Sequence, residues 1–587
     1  MNNQKMKYLI ISLIFLPIAF FQNCSQLSSD AEKLNISNLS SSENNQNGDS
    51  SNINNGSTGV QIPQVNQSLE SCVATVPRLS IASTGSGFQK VEKIGPWNYQ
   101  PMYPSQSSCA VNEGTVYEVG PNKKYLNPRD VPWLKLKACD IVKIYYRNTP
   151  YTDIVYYSTR GEKNKWIIIQ GIPGSNGEKP IFDGHNAVMP TNTGANRNVD
   201  SAGLFIVFKP EGVNRAGDYK PGYTQIDGFK FQNAKAPAQV TNMSGSKSQW
   251  GSFSAGLYIN GADFIAVTNN EFNDNGLGLF ANSSDAGDAL QTRGLLIRGN
   301  YFHNNSNVGS FSEHNAYTEG IGTVYEYNYF GPILNGSYGD NVKERSSGII
   351  FRYNYFEGGS NMISLRDPES NGAYEASQVD SWGERMVTAV FIYSNIFVAK
   401  NGLSFVIGHG DAFHGTGAQY REGNVYFFSN RVISRNDNDP FWFNNDYYEK
   451  SGIPVFVMSN TRSPATIVAR NNLFDSRSFS KGADSAAFAL FYYQGKADFQ
   501  SNWINSSYLN TYVNTKPVDS ALAVGTIFNG IGVNLTPELN VDPGFIDEAN
   551  GNYLTKPTSP FALLKAALPD AVNKRCLMPA SEPVVTH

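Results

Sequence analysis

Along most of the chain, apolar residues alternate with polar ones over only three to six positions before Gly, Asn or Asp interrupts. Such runs have the two-residue period of strands rather than the 3.6-residue stripe of an amphipathic helix. From about residue 226 they are punctuated by a recurring Asn-x-Phe or a relative: "NNEF" at Phe272, "GNYF" at Phe302, "YNYF" at Phe330 and Phe356, "SNIF" at Phe397, "NNLF" at Phe474 and "SNWI" at Ile504. "FSNRVI", with Asn430, fits more loosely. The cleanest intervals are 30, 28 and 26 residues, and one of 41 follows. A period in this range marks a solenoid, and the excess length maps to loops inserted on one side. Helical solenoids need amphipathic helices, so the pattern predicts an all-β chain wound as a parallel β-helix with loop insertions. Coils in such a fold stack about 4.8 Å apart, aligning equivalent residues in columns. The repeated Asn is expected at a tight turn, bonded to the next coil's backbone, with the Phe stacked inside.

Composition supports the strands. Aromatic residues make up 13% of the 587, and β-branched and aromatic runs broken by Gly and Asn favour sheet. Forty-six basic side chains against 50 acidic ones leave a net of −4, which argues against a nucleic-acid partner bound through phosphates.

The N-terminus reads as an address. Lys5 and Lys7 precede the apolar run "YLIISLIFLPIAFF" (8–21), too short to span a bilayer comfortably, and "QNCS" follows. Cys24 there resembles the lipobox cysteine of bacterial lipoproteins, although Phe21 and Asn23 depart from the usual residues. The resemblance implies a lipidated Cys24 as the mature N-terminus, and export to the outer membrane or cell surface of a Gram-negative bacterium. The Ser- and Asn-rich stretch that follows, including "SNLSSSENNQNGDSSNINNGSTG" (37–59), buries too little apolar surface to fold and reads as a tether. The expected organisation is a leader (1–23), a tether (24–70), a β-helix with its cap coils (71–575) and a tail (576–587). Cys72, Cys109, Cys139 and Cys576 remain, an even number that suggests two disulfides with three pairings open.

The segment 115–187 opens with "TVYEVGPNKKY", continues through "LKACDIVKIYY" and closes on "KPIFDG". It resembles the opening coils of pectin-lyase-like right-handed β-helix proteins. Asn122 and Cys139 stand where that pattern has Gly. "VDPGFIDEANGNYLTKPTSP" (541–560) resembles the close of many such chains. The resemblance implies a right-handed β-helix over roughly 115–565.

Candidate chemistry comes from aligning columns on the repeated Asn. Eleven residues before Asn354 and Asn328 are Lys343 and Tyr317; nine before are Arg345 and Glu319; thirteen before are Asn341 and Asn315. "HNAYTEG" (314–320) and "DNVKERS" (340–346) are thus expected to be one strand in successive coils, with "NMISLR" (361–366) and Arg366 one coil further. Alternation sends Lys343 and Arg345 outward and Val342 inward, and turns His314 away from Tyr317. Neighbouring columns lie roughly 5 to 10 Å apart, the dimension of a sugar subsite. One phenol, one carboxylate and three cations suit β-elimination from a uronate. A cation neutralises the substrate carboxylate, a base takes the α-proton and an acid assists the leaving oxygen. Lys343 fits the base, its like-charged neighbours favouring the neutral amine; Arg345 or Arg366 fits the carboxylate grip, and Tyr317 the acid. Glu319, Asn315, Asn341 and His314 are candidate substrate contacts. The bland alternative is an exposed ion-pair ladder of Lys343, Glu319 and Arg345.

The order Lys343-Glu344, "YNYF", Leu365-Arg366 resembles alginate lyases and chondroitinase B-type polysaccharide lyases. That resemblance implies Lys343 as base and Arg366 as acid. The calcium ligands of that family find only Asp340 here, so calcium enters as a candidate cofactor and no other is implied. "HNAY" with "GDNVKERS" also resembles uncharacterised β-helix repeat proteins. Further on, "GHGDAFHGTG" (408–417) and "NDND" (436–439) are weak metal signals, and Trp442 could stack on a sugar ring. Together these residues predict a surface-tethered, carbohydrate-active protein, foremost a lyase on an anionic polysaccharide. A non-catalytic glycan-binding adhesion module is the alternative of another class, and a glycoside hydrolase using Glu319 and Asp340 a third.

Overall fold

The computed structural model describes the chain from Tyr103 to Ser559, apart from 191–198, 210–219, 284–290, 370–376, 379–384, 400–404, 410–420, 435–452, 459–464, 476–487, 519–541 and a few shorter stretches. Cys24, Cys72, Trp442, His414, residues 436–439 and Cys576 lie outside the described residues.

Three long sheets run the length of the domain, with 12, 10 and 13 strands. The chain visits them in rotation. A strand of the 12-stranded sheet such as Leu296–Arg298 is followed by one of the 10-stranded sheet, Tyr301–His303, then one of the 13-stranded sheet, Ala316–Thr318. Ile321–Glu326 then opens the next coil. Neighbouring strands are parallel throughout, save the closing pair of the 13-stranded sheet. Four short 3-10 helices lie among the strands of the described residues. This is a right-handed parallel β-helix, the hand that parallel crossovers take almost without exception.

The recurring Asn builds the stack. Asn270, Asn300, Asn328, Asn354, Asn395, Asn430, Asn472 and Asn502 form an unbroken ladder between the 12- and 10-stranded sheets. The backbone N–H of each donates to Oδ1 of the next at 2.9–3.0 Å. The side-chain amide of Asn300 donates to the Val267 carbonyl (2.8 Å) and to Asn328 Oδ1 (3.0 Å), and the same double bond repeats up the ladder. Asn430, the loosest sequence match, is a full rung. The residue before each of the first seven rungs is left-handed: Asn269, Gly299, Tyr327, Tyr353, Ser394, Ser429 and Asn471. A bulky Tyr in that region costs roughly 1–2 kcal/mol, so the ladder's bonds hold the bend against backbone preference.

Two residues after the first five rungs, Phe272, Phe302, Phe330, Phe356 and Phe397 stack in the lumen on Phe231 of the preceding coil, with centroids 4.7–5.4 Å apart and rings 7–16° from parallel. Cys139 and Asn122, the two departures from the Gly pattern, have φ of 69° and 58°. Both sit where glycine's freedom is wanted, and Cys139 is held there by a disulfide to Cys109. This is one of the three open pairings. On the outer face of the 12-stranded sheet, the buried Glu326 carboxylate accepts from Tyr103 Oη (2.7 Å), Arg352 Nε (2.8 Å) and Arg298 Nη1 (2.6 Å), pinning the first described residue to the middle coils.

Asn354→Ala would orphan two buried donors, the backbone N–H and side-chain amide of Asn328. Each costs about 1–3 kcal/mol. The expected outcome is a clear drop in the urea midpoint, whereas an unchanged midpoint would show that the ladder is incidental.

Candidate active site

Consecutive strands of the 13-stranded sheet carry the site: Leu277–Asn282, Ala316–Thr318, Val342–Glu344 and Asn361–Leu365. Phe280 pairs with Tyr317, Tyr317 with Lys343, and Lys343 with Ser364. These four form one outward column. Inward, Ala316, Val342 and Ile363 line the lumen. The column count that set Tyr317 beside Lys343 therefore matches the observed register. Arg366 falls two residues past the column: Ser364 stands opposite Lys343, and Arg366 continues the ladder from Leu365, its N–H donating to the Glu344 carbonyl (2.8 Å). Its Nε reaches back to Ser364 Oγ (2.8 Å), which draws the guanidinium toward the column.

Lys343 is no exposed ladder rung. It is 8% exposed, with Nζ 4.8 Å from the centroid of the Tyr317 ring. Arg345 is also buried and already engaged. Its Nε donates to Tyr317 Oη (3.0 Å), Nη1 to the Asp367 carbonyl (2.6 Å), and Nη2 pairs with Glu369 (3.0 Å). Its place as carboxylate grip is corrected: Arg345 positions Tyr317 and ties down the chain after Arg366. Glu319 is likewise only 2% exposed, and its Oε1 accepts the Glu369 N–H (2.6 Å), so it braces the same turn rather than facing a ligand. Arg345 pairs with Glu369, which the sequence did not suggest. Burial pushes the Tyr317 phenol well above its ordinary range, and the Arg345 charge opposes this in part.

Asn315 and Asn341 belong to a second amide ladder, at the bend between the 10- and 13-stranded sheets. Asn305 Nδ2 donates to Asn315 Oδ1 (2.9 Å), and Asn315 Nδ2 donates to Asn341 Oδ1 (2.6 Å) and to the Gly331 carbonyl (3.1 Å). Asn341 Nδ2 donates to the Gly358 carbonyl (2.8 Å). Both side chains are fully buried, so their reading as substrate contacts is corrected.

His314 is corrected in direction. The chain bends at Asn315, so strict alternation fails there and the imidazole lies edge-on to Tyr317, centroids 5.8 Å apart. Nδ1 accepts the Asp340 N–H (2.9 Å), which assigns the neutral ring's proton to Nε2. Burial, followed by the charges of Lys343, Arg366 and Arg345, holds its pKa well below the usual histidine value. Asp340 gives Oδ1 to both the backbone and the side-chain N–H of Asn361 (3.0 and 2.6 Å). The carboxylates around the column are each engaged, Asp340 by Asn361, Glu319 by the Glu369 N–H and Glu369 by Arg345, so the column does not fit a resident calcium ion, and no step is routed through one. The described group with metal-like ligand spacing is Cys109, Glu113 and Cys139, whose sulfurs form the disulfide.

Sequence reasoning missed Glu344. The alternation that turns Lys343 out turns Glu344 into the lumen, where its carboxylate accepts from Tyr325 Oη (2.7 Å), Thr318 Oγ1 and the Ser346 N–H (2.6 Å). Burial raises its pKa despite these bonds. A charged residue type obscured a signal that the period itself carried.

No family model matches the chain, and no curated protein matches its sequence. Among solved structures, it is similar to an alginate lyase from Paenibacillus (11% identity, TM-score 0.32, covering 69% of this chain and 99% of that one). It is also similar to a tailspike protein of an E. coli bacteriophage in complex with a hexasaccharide (13%, 0.40, 71% and 58%) and to a surface adhesin of Streptococcus pneumoniae (11%, 0.33, 62% and 78%). Superpositions of this quality reflect shared coil stacking and carry no residue correspondence.

The depressed His314 pKa makes a pH prediction. Unfolded, the ring takes up a proton as pH falls through about 6.5; folded, it does not. Stability is therefore lost on acidification below about 6.5, by up to about 1.4 kcal/mol per pH unit from this group. Urea midpoints at pH 7.5 and 5.5 should fall further in the wild type than in His314→Gln. Equal falls would show that the ring is solvated.

Proposed function

We propose that the protein is a polysaccharide lyase that cleaves an acidic polysaccharide by β-elimination on the outward face of the 13-stranded sheet. The observation that carries this reading is the Tyr317–Lys343–Ser364 column, with Arg345 bonded to the phenol oxygen and Arg366 drawn in by Ser364. Arg366 neutralises the uronate carboxylate, which acidifies the α-carbon. The Lys343 amine removes that proton, the C–H pair becomes the new double bond, and the bond to the glycosidic oxygen breaks. Tyr317 delivers a proton to that oxygen. Because Arg345 donates to Tyr317 Oη, the phenol's own proton is left to point at substrate.

A non-catalytic glycan-binding role is favoured by one observation, the cover over Lys343. Purified protein incubated with alginate, pectate and glycosaminoglycans separates the two. Lyase action gives an unsaturated product with new ultraviolet absorbance, lost in Lys343→Ala by at least about a hundredfold. Binding without absorbance would remove the lyase reading. Because Lys343 packs on Tyr317, the variant should also lose a little stability, about 1 kcal/mol.

We also propose that Cys24 carries a lipid anchor and that the Ser/Asn-rich stretch after it holds the β-helix off the membrane. Cys24→Ala should move the protein from the membrane fraction to the soluble one with an unchanged melting temperature. Retention of the variant in membranes would remove the anchor.

A further inference from the structure

On the coils that precede Lys343, the same outward column is aromatic. Tyr258 pairs in register with Phe280, and Phe280 with Tyr317. Ring centroids are 5.5 Å apart for the first pair and 5.2 Å for the second, so the rings make a continuous file leading to Lys343 Nζ. Tyr258 is buried, with its hydroxyl accepting from Asn260 Nδ2 (3.2 Å), whereas Phe280 and Tyr317 are half-buried on the outer face. Beyond Lys343 the column changes character, passing to Ser364 and then Gly408. Immediately next to Lys343, therefore, the column is aromatic on the Tyr317 side and small on the other.

We propose that Phe280, backed by Tyr258 and continued by Tyr317, is a stacking floor for the sugar rings on one side of the bond at Lys343, so that the glycan runs along the coil axis. This rests on the lyase reading only for what happens at Lys343; the floor itself is a binding site. Its occupant is a pyranose chain because the half-buried rings of Phe280 and Tyr317, on two successive coils and tilted 34° to one another, offer apolar surface suited to sugar C–H faces, and because the file is continuous with the cationic end at which a uronate carboxylate would sit. Stacking strands keep the rings in file without any loop having to order, which lowers the entropic cost of binding. Because rings adjoin Lys343 on the Tyr317 side while Ser364 and Gly408 follow on the other, binding depends on chain length toward Phe280.

The experiment uses the full chain carrying Lys343→Ala, which prevents turnover, and titrates it calorimetrically with hexasaccharides and disaccharides of alginate, polygalacturonate and hyaluronan. One hexasaccharide should bind, and adding Phe280→Ala should weaken it about tenfold, while disaccharide binding changes little. Phe280→Leu keeps an apolar cover over Tyr258 and should still bind weakly, with unchanged circular dichroism. Unchanged hexasaccharide affinity in Phe280→Ala, recovery of full affinity by Leu, or no hexasaccharide binding at all would overturn the floor. Phe280-sensitive binding by a wild-type protein that forms no unsaturated product would support the floor while overturning the lyase reading.

Discussion

The rest of the molecule depends on an amide that bonds both along and across the coils. Each ladder Asn accepts its neighbour's N–H and sends its own amide to a carbonyl and to the next rung, so a bend that would strand buried polar groups satisfies them instead. The bonds outweigh the cost of left-handed Tyr327 and Tyr353 immediately before the rungs. Because every rung faces the one above it, the strands on either side inherit a fixed register. Columns of side chains follow from that register.

The second ladder applies the same device one bend later, and there it touches the candidate site. Asn305, Asn315 and Asn341 fix the entry to the strands of Tyr317 and Lys343, and the bend at Asn315 swings His314 back over the Tyr317 ring. On the other side, Arg345 and Glu319 clasp Glu369 and Asp367. The charged groups Arg345, Glu319 and Glu369 thus build the walls of the column. Beneath it, Glu344 fills the lumen with a hydrogen-bonded carboxylate between Thr318 of the preceding coil and Leu365 of the next. A buried acid with a raised pKa costs stability as pH rises, the reverse of the His314 effect, so the two ends of the pH range act on opposite faces of one sheet.

The sequence by itself determined the architecture, because periodicity reports it directly. Alternation with Asn-x-Phe at 26 to 30 residues names the solenoid, and even the substitutions Asn122 and Cys139 mark backbone positions that glycine would suit. It also determined that Tyr317 lies beside Lys343, since no insertion separates strand from ladder in those coils. Only the tertiary structure decided what each polar residue does. Counting places a side chain in a column, but a hydrogen bond depends on neighbours drawn from other coils: Arg345 turned to Glu369, Asn315 and Asn341 to the ladder, His314 to Tyr317. Burial separates a wall from a binding group, and burial is a property of the packed coils rather than of any one segment.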